Sequence, residues 1–194
     1  MAPSRSDLVA LIEDPVPFLT SPDPVLRRMA VTALSPEDVT RHREPLDALA
    51  RDPRPEIRAA VAEKLAFGGS EAMRTLGGLE SDTEAVVREA VATAYGELGT
   101  RSVLGWLIDA AREDPDRGVR EAAVAALGAI GDDAAIEPLL TMVAEGPPQV
   151  RRRAIAAITV FDDPRIEPAI TRAALDRNPS VREAAEMVVG RQLG

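Results

Sequence analysis

DPDRGVREAAVAALGAIG, residues Asp114 to Gly131, holds the clearest copy of a unit that recurs along this chain. An Asp-Pro turn leads into an alanine-rich amphipathic helix that opens with Val119-Arg120. The same hydrophobic-Arg pair recurs at Leu26-Arg27, Ile57-Arg58, Val87-Arg88, Val150-Arg151 and Val181-Arg182, in steps of 31, 30, 32, 31 and 31 residues. A period of this size, held along the chain, is the signature of a stacked repeat array. Each repeat is a small unit that buries its apolar face only against its neighbours.

Composition agrees with that architecture. The 194 residues are 45% hydrophobic but only 3% aromatic, so the core is built from Ala, Val, Leu and Ile. Such side chains suit close helix packing better than a β-sandwich, which favours β-branched and aromatic residues. There is no cysteine, which excludes disulfides and thiolate metal sites. The opening MAPSRSDLVALIEDP has too short an apolar run for a signal peptide, and no run approaches membrane-spanning length, so a cytoplasmic location is expected. Net charge is −9, and Lys64 is the only lysine. A general nucleic-acid binder would carry the opposite balance.

Taken in order, residues 1–13 are expected to hold an N-terminal cap helix, with Leu8, Leu11 and Ile12 on one face. Repeats of two helices are expected over about 14–43, 44–69, 70–99, 100–132, 133–163 and 164–194, in a single domain spanning 1–194. The second helices fall near 24–34, 55–66, 83–98, 116–130, 148–160 and 179–192. Pro45, Pro138 and Pro168 stand early in three first helices, where proline begins or kinks a helix.

On a helical wheel counted from the hydrophobic residue of each pair, position +4 reads Ala30, Val61, Val91, Ala123, Ala154, Ala185. Position +8 reads Leu34, Leu65, Tyr95, Leu127, Ile158, Val189. With positions 0, +7 and +11 these make a stripe about 100° wide, as expected for a helix with one buried face.

These residues resemble the HEAT-like repeat family, in the short form of about 30 residues known from phycobilisome lyase subunits. The resemblance is carried by DPxxxVRxxAxxALGxIG at 114–131 and by AIEPLL at 135–140 and RIEPAI at 165–170, and it covers nearly everything after Asp14. Departures are Gly146-Pro147 where an Asp-Pro is expected, Arg153 at a usually small position, and Lys64 on the apolar stripe. The resemblance implies an all-α, right-handed solenoid of about six helical hairpins. It also implies that Arg27, Arg58, Arg88, Arg120, Arg151 and Arg182 form a structural ladder with turn aspartates of their own or a neighbouring repeat. Asp23, Asp52, Asp82 and Asp114 are available for forked Arg–carboxylate pairs.

No residue set declares an enzyme, and no catalytic, metal or cofactor residues are expected. Asp132-Asp133 and Asp162-Asp163 stand where helix N-caps belong. His42 is the only histidine, too few for a His-rich metal site, and the repeated His-Glu pairs of HEAT-like deoxyhypusine hydroxylases are missing. HEAT-like alkylpurine DNA glycosylases use a basic face with aromatics, whereas this chain is acidic with one Trp and one Tyr.

The expected function is a non-enzymatic scaffold that binds a peptide or helix of a protein partner on the concave face of the second helices. Position +5 (Val31, Ala62, Ala92, Val124, Ile155) would form a shallow apolar groove, unless it packs against neighbouring second helices. Arg28 and Glu121, with Arg152 and Arg153, would flank it, and Trp106 is either a contact anchor or a cover over the adjacent first helix. The rival expectation is an enzyme or enzyme subunit, similar to a phycobilin lyase subunit or an alkylpurine DNA glycosylase.

Overall fold

Capping residues and prolines set where the helices of this chain begin. In the computed structural model, which describes residues 3–192, Ser4 and Ser35 each build a reciprocal capping box with an aspartate three residues on. Asp23 accepts from the Val25 amide with Pro24 at the first helical position, and Asp116 accepts from the amides of Gly118 and Val119. The expected element limits at residues 1, 2, 193 and 194 lie outside the described residues.

All regular structure among the described residues is helical, and it falls into two compact units. The unit up to Ala94 begins with α1 (Arg5–Glu13) and a 3-10 turn (Val16–Thr20) packed on α2 (Pro24–Ala33). It continues through α3 (Pro36–Arg41), α4 (Arg43–Leu49) and α5 (Pro55–Leu65) to α6 (Met73–Gly77) and most of α7 (Ala85–Leu98). The unit from Tyr95 onward holds three hairpins: α8 (Leu104–Glu113) with α9 (Arg117–Ile130), α10 (Ile136–Glu145) with α11 (Pro148–Ile158), and α12 (Ile166–Ala173) with α13 (Pro179–Gln192).

The second helices stand close to where the periodicity puts them. The first helices differ, since those of repeats 3, 4 and 5 open with a 3-10 turn (Gly69–Ala72, Arg101–Val103, Asp133–Ala135), and that of repeat 1 is wholly 3-10. Tight i→i+3 turns of this kind take up orphan amides at helix starts. Pro45, Pro138 and Pro168 each sit third in their helix, so they start helices and do not kink them.

The stripe read from the wheel is the core. Val119, Ala123 and Leu127 have no exposed surface, and neither do Ile57, Val61 and Leu65. Lys64, the charge on that stripe, is half-buried because its ammonium donates to the Leu34 carbonyl (3.0 Å), where α2 ends. Its stem covers apolar surface while its charge satisfies an orphan carbonyl.

Arg27, Arg58 and Arg151 form rungs of the ladder that the resemblance implied, whereas Arg120 and Arg182 donate to backbone carbonyls of their own turns and reach no carboxylate among the described residues. Arg58 makes a two-pronged pair with Asp82, at 2.7 Å for both Nε and Nη2, and its Nη1 donates to the Asp52 carbonyl (2.8 Å). Arg27 reaches Asp52 and the Ser21 carbonyl in the same way. In the second unit Arg151 forks onto Asp176 (2.8 and 2.7 Å) and donates to the Gly146 carbonyl. Each of these aspartates also accepts from the amide two residues on (Arg54, Glu84, Asn178), so one carboxylate shapes its own turn and receives the preceding repeat's cation.

Glycine sets the helix spacing in the second unit. A Cβ on Gly128 would lie 2.9 Å from Ala157 Cα, and one on Gly96 would lie 3.0 Å from Ala126 Cα. Consecutive second helices touch backbone to backbone there. Gly128→Ala is expected to cost about 1–3 kcal/mol through overpacking. Gly105→Ala, with nothing within 4 Å of the new methyl, should be neutral or stabilise by up to about 1 kcal/mol. Urea melts of the two variants check the contrast, and equal effects would contradict the contact.

The ladder makes stability depend on acid. The Arg58 guanidinium holds the Asp82 carboxyl below its ordinary value, and Arg151 does the same for Asp176. A carboxyl with a depressed folded pKa takes up protons on unfolding. The rung's contribution is therefore complete above the unfolded value, about 3.9, and is lost as pH falls through the folded value. Urea midpoints should hold down to about pH 4 and then fall, and Asp176→Asn should start lower with a shallower acid limb. An acid limb of unchanged steepness in that variant would contradict the rung.

Candidate functional site

Positions +2 and +6 of a second helix look away from the core stripe, and in the second unit they build one face. These are Glu121 and Ala125 on α9, Arg152 and Ala156 on α11, and Glu183 and Met187 on α13. Arg152, exposed, leans toward α9 and contacts Glu121 at 3.4 Å; Glu121 also accepts from Arg117 at 2.7 Å. Arg153 is exposed and has no ion pair among the described residues. Glu183, also exposed, likewise has none.

The apolar part of the expected groove needs correcting. Val31, Ala62, Ala92, Val124 and Ile155 have no exposed surface at all. Position +5 lies at the edge of the buried stripe, on the flank turned toward the following hairpin, and its small side chains are closed over by that packing. In the second unit the side chains open to solvent are those of positions +2 and +6, not position +5. Among the flanking residues, Arg28 is exposed in the first unit, while Glu121, Arg152 and Arg153 line the face of the second.

Trp106 is half-buried and stands edge-on to Tyr95, with ring centroids 5.6 Å apart and planes at 81°. The T-shaped pair accounts for the lone tryptophan as cover over a buried tyrosine at a position where other repeats place Leu, Ile or Val.

The sequence reading missed a cleft of about 480 Å³ between α11 and α13. It is lined by Ala156, Thr159, Phe161, Ala184, Met187 and Val188 and floored by Ile166 and Ile170 of α12. Its cause is local. Where Gly96 meets Ala126 and Gly128 meets Ala157, the next pair in register is Thr159 and Val188. Those side chains are too large for backbone-to-backbone approach, so the helices part and the space opens onto the +2/+6 face. Met187, 62% exposed, stands at its lip, and Val160, also 62% exposed, follows just past the end of α11. The lost Gly–Ala pairing was the sequence signal that could have found it.

Electrostatics divide the face. Its cations gather at α11 and toward α9, while the α13 side carries Glu183 and Glu186, with Asp162 beside Phe161; all three carboxylates are exposed. Asp163 is tied to Arg165, which holds its carboxyl down at about 2, and Arg165 also reaches Glu137. No helix among the described residues is long and apolar enough to cross a membrane.

The model of HEAT repeats matches residues 72–149. A search of curated proteins returns no match. Among solved structures, the complex of CpcE and CpcF of phycocyanin lyase from Nostoc sp. PCC7120 is similar, at 21% identity over 73% of this chain and 94% of that one, with a TM-score of 0.61. A designed armadillo repeat protein in complex with the peptide (KR)4 is similar at 18% identity over 93% and 98% of the two chains, with a TM-score of 0.59. A computationally designed armadillo repeat protein for modular peptide recognition aligns at 19% identity over 93% and 98%, with a TM-score of 0.57. At these identities the likeness is one of fold.

The aromatic pair predicts a spectroscopic result. Tyr95→Leu, which installs the residue that Leu65 and Leu127 provide at the same position, should leave the chain folded by circular dichroism, shift Trp106 emission to the red and make it easier to quench. Unchanged emission would mean that the edge-on contact is not made. Helical hairpins at a fixed period, arginine rungs between them and the likeness to solved repeat structures give this chain an all-α solenoid fold, and residues 72–149 within it match HEAT repeats.

Proposed function

We propose that this chain is a non-enzymatic protein-interaction scaffold that seats a partner's peptide or helix on the second-helix face of residues 95–194. The observation that carries the reading is the apolar cleft edged by exposed Ala156 and Met187, on a face of small and charged side chains to which exposed Val160 lies close in sequence. Large exposed apolar residues clustered on one face mark interaction sites, whereas scattered ones do not. The fold is shared with a designed armadillo protein that holds a peptide and with a phycocyanin lyase complex, which supports a protein as the partner. A duplex-binding reading gains nothing from the side chains: Tyr95 is fully buried, and Arg27, Arg58 and Arg151 are spent in the ladder.

Site-specific photo-crosslinking tests the assignment. A crosslinking residue at Ala125, on the α9 part of the face, should trap a discrete partner in native lysate, and one at Glu167, exposed on first helix α12, should not. Equal yields at the two positions, or a product at Glu167 alone, would place binding elsewhere.

A further inference from the structure

Resting on that scaffold reading, we infer that the cleft between α11 and α13 takes one bulky apolar side chain from a basic segment of a partner protein. The flanking lysines or arginines of that segment meet Glu183 and Asp162.

Three observations converge on this occupant. The first is volume: about 480 Å³ lined by uncharged side chains has room for a large aliphatic or aromatic residue. The second is the composition of the walls. Met187 is unbranched and exposed at the lip, and methionine adapts to the shape of what it meets. Phe161, half-buried in the lining, offers an aromatic surface. The third is charge. Arg152 is drawn toward α9 by Glu121, which leaves the α13 rim to Glu183, and Asp162 follows Phe161. None of the lining side chains is charged; the exposed carboxylates nearest in sequence are Glu183, four residues before Met187, and Asp162, next to Phe161. The chain's net charge of −9 adds a long-range attraction for a cationic segment. An acidic segment meets repulsion at the same rim.

The cleft is separate from the Arg151–Asp176 rung, which is satisfied internally by its two-pronged pair. Filling the cleft therefore disturbs no buried ion pair. The occupant gains burial of its anchor together with exposed, salt-sensitive charge contacts.

The test uses the full chain and three synthetic peptides carrying carboxyfluorescein on the N-terminal amine, GKKWKKG-amide, GKKAKKG-amide and GEEWEEG-amide, titrated by fluorescence anisotropy at low salt. The Trp/Lys peptide should bind about tenfold or more tighter than either control, since both the anchor and the charge are needed. Met187→Lys and Glu183→Lys, both at exposed positions, should each weaken it by about tenfold. Ala184→Phe, which fills the space without changing charge, should abolish the advantage of Trp over Ala. Circular dichroism confirms the fold of each variant, and the two surface variants keep the test decisive if Ala184→Phe unfolds.

Equal binding of the Ala/Lys peptide would reduce the effect to net charge and overturn the inference, as would preference for the Glu/Trp peptide or no binding of any peptide. Self-association of the chain in sedimentation, abolished by Met187→Lys, would make a second copy the occupant and equally overturn it. If Ala125 still crosslinks a partner while the cleft variants leave Trp/Lys peptide binding unchanged, the scaffold reading survives and this inference fails.

Discussion

The arginine–aspartate rung is the contact that fixes one hairpin on the next wherever it forms. A guanidinium one residue past the start of the buried stripe reaches across to the next turn, where a carboxylate already folds the chain back through its amide two residues on. Both partners are largely removed from water; Asp52 is 8% exposed and Arg151 is 5% exposed. Burying such charges is costly unless every proton and lone pair is met. The two-pronged geometry meets them, and a backbone carbonyl takes the remaining Nη1 proton. The rung therefore specifies register as well as adding stability, because a hairpin displaced by one residue would leave a buried charge unpaired.

The sequence made this frame readable because the rung and the core stripe recur with the same period. Val119, Ala123 and Leu127 could be placed inside from one stretch and their counterparts found by counting. Position +5 was not decided in that way. It sits at the stripe's edge, where a wheel gives an angle without saying whether a neighbour covers it, and Val124 and Ile155 fit either outcome. Lys64 was legible as an anomaly, but its partner, the carbonyl of Leu34, lies thirty residues away and depends on tertiary packing. Trp106 was similarly underdetermined, because the wheel of α8 alone does not show that Tyr95 stands edge-on beneath it.

Function was less legible than fold for a physical reason. The periodic residues are spent on architecture, so a binding surface has to arise where periodicity fails. Arg152 and Arg153 were visible as a cationic run, yet the fact that Arg152 leans toward Glu121 and leaves the α13 rim acidic emerges only in three dimensions. Two small departures, Thr159 in place of a glycine and Val188 in place of an alanine, open the cleft and put Met187 at its edge.

The two junctions on either side of α11 show how such a cleft can persist. Between α9 and α11 the ladder is broken, since the turn of repeat 5 reads Gly146-Pro147. Arg120 keeps its Nη1 contacts to the carbonyls of Asp114 (2.5 Å) and Pro115 (3.0 Å), but its buried Nε has no partner. A buried unsatisfied donor costs about 1–3 kcal/mol, and this junction also holds the tight backbone contact of Gly128 on Ala157. Between α11 and α13 the terms are exchanged. The Arg151–Asp176 rung is complete and two-pronged, while the helices that it joins are held apart by Thr159 and Val188. A junction pinned by a directional ion pair at one end can leave space at the other without losing register. A junction held by close packing has no such freedom, because any gap forfeits the contacts that define it. The cleft therefore lies at the junction whose stability does not rely on filling it.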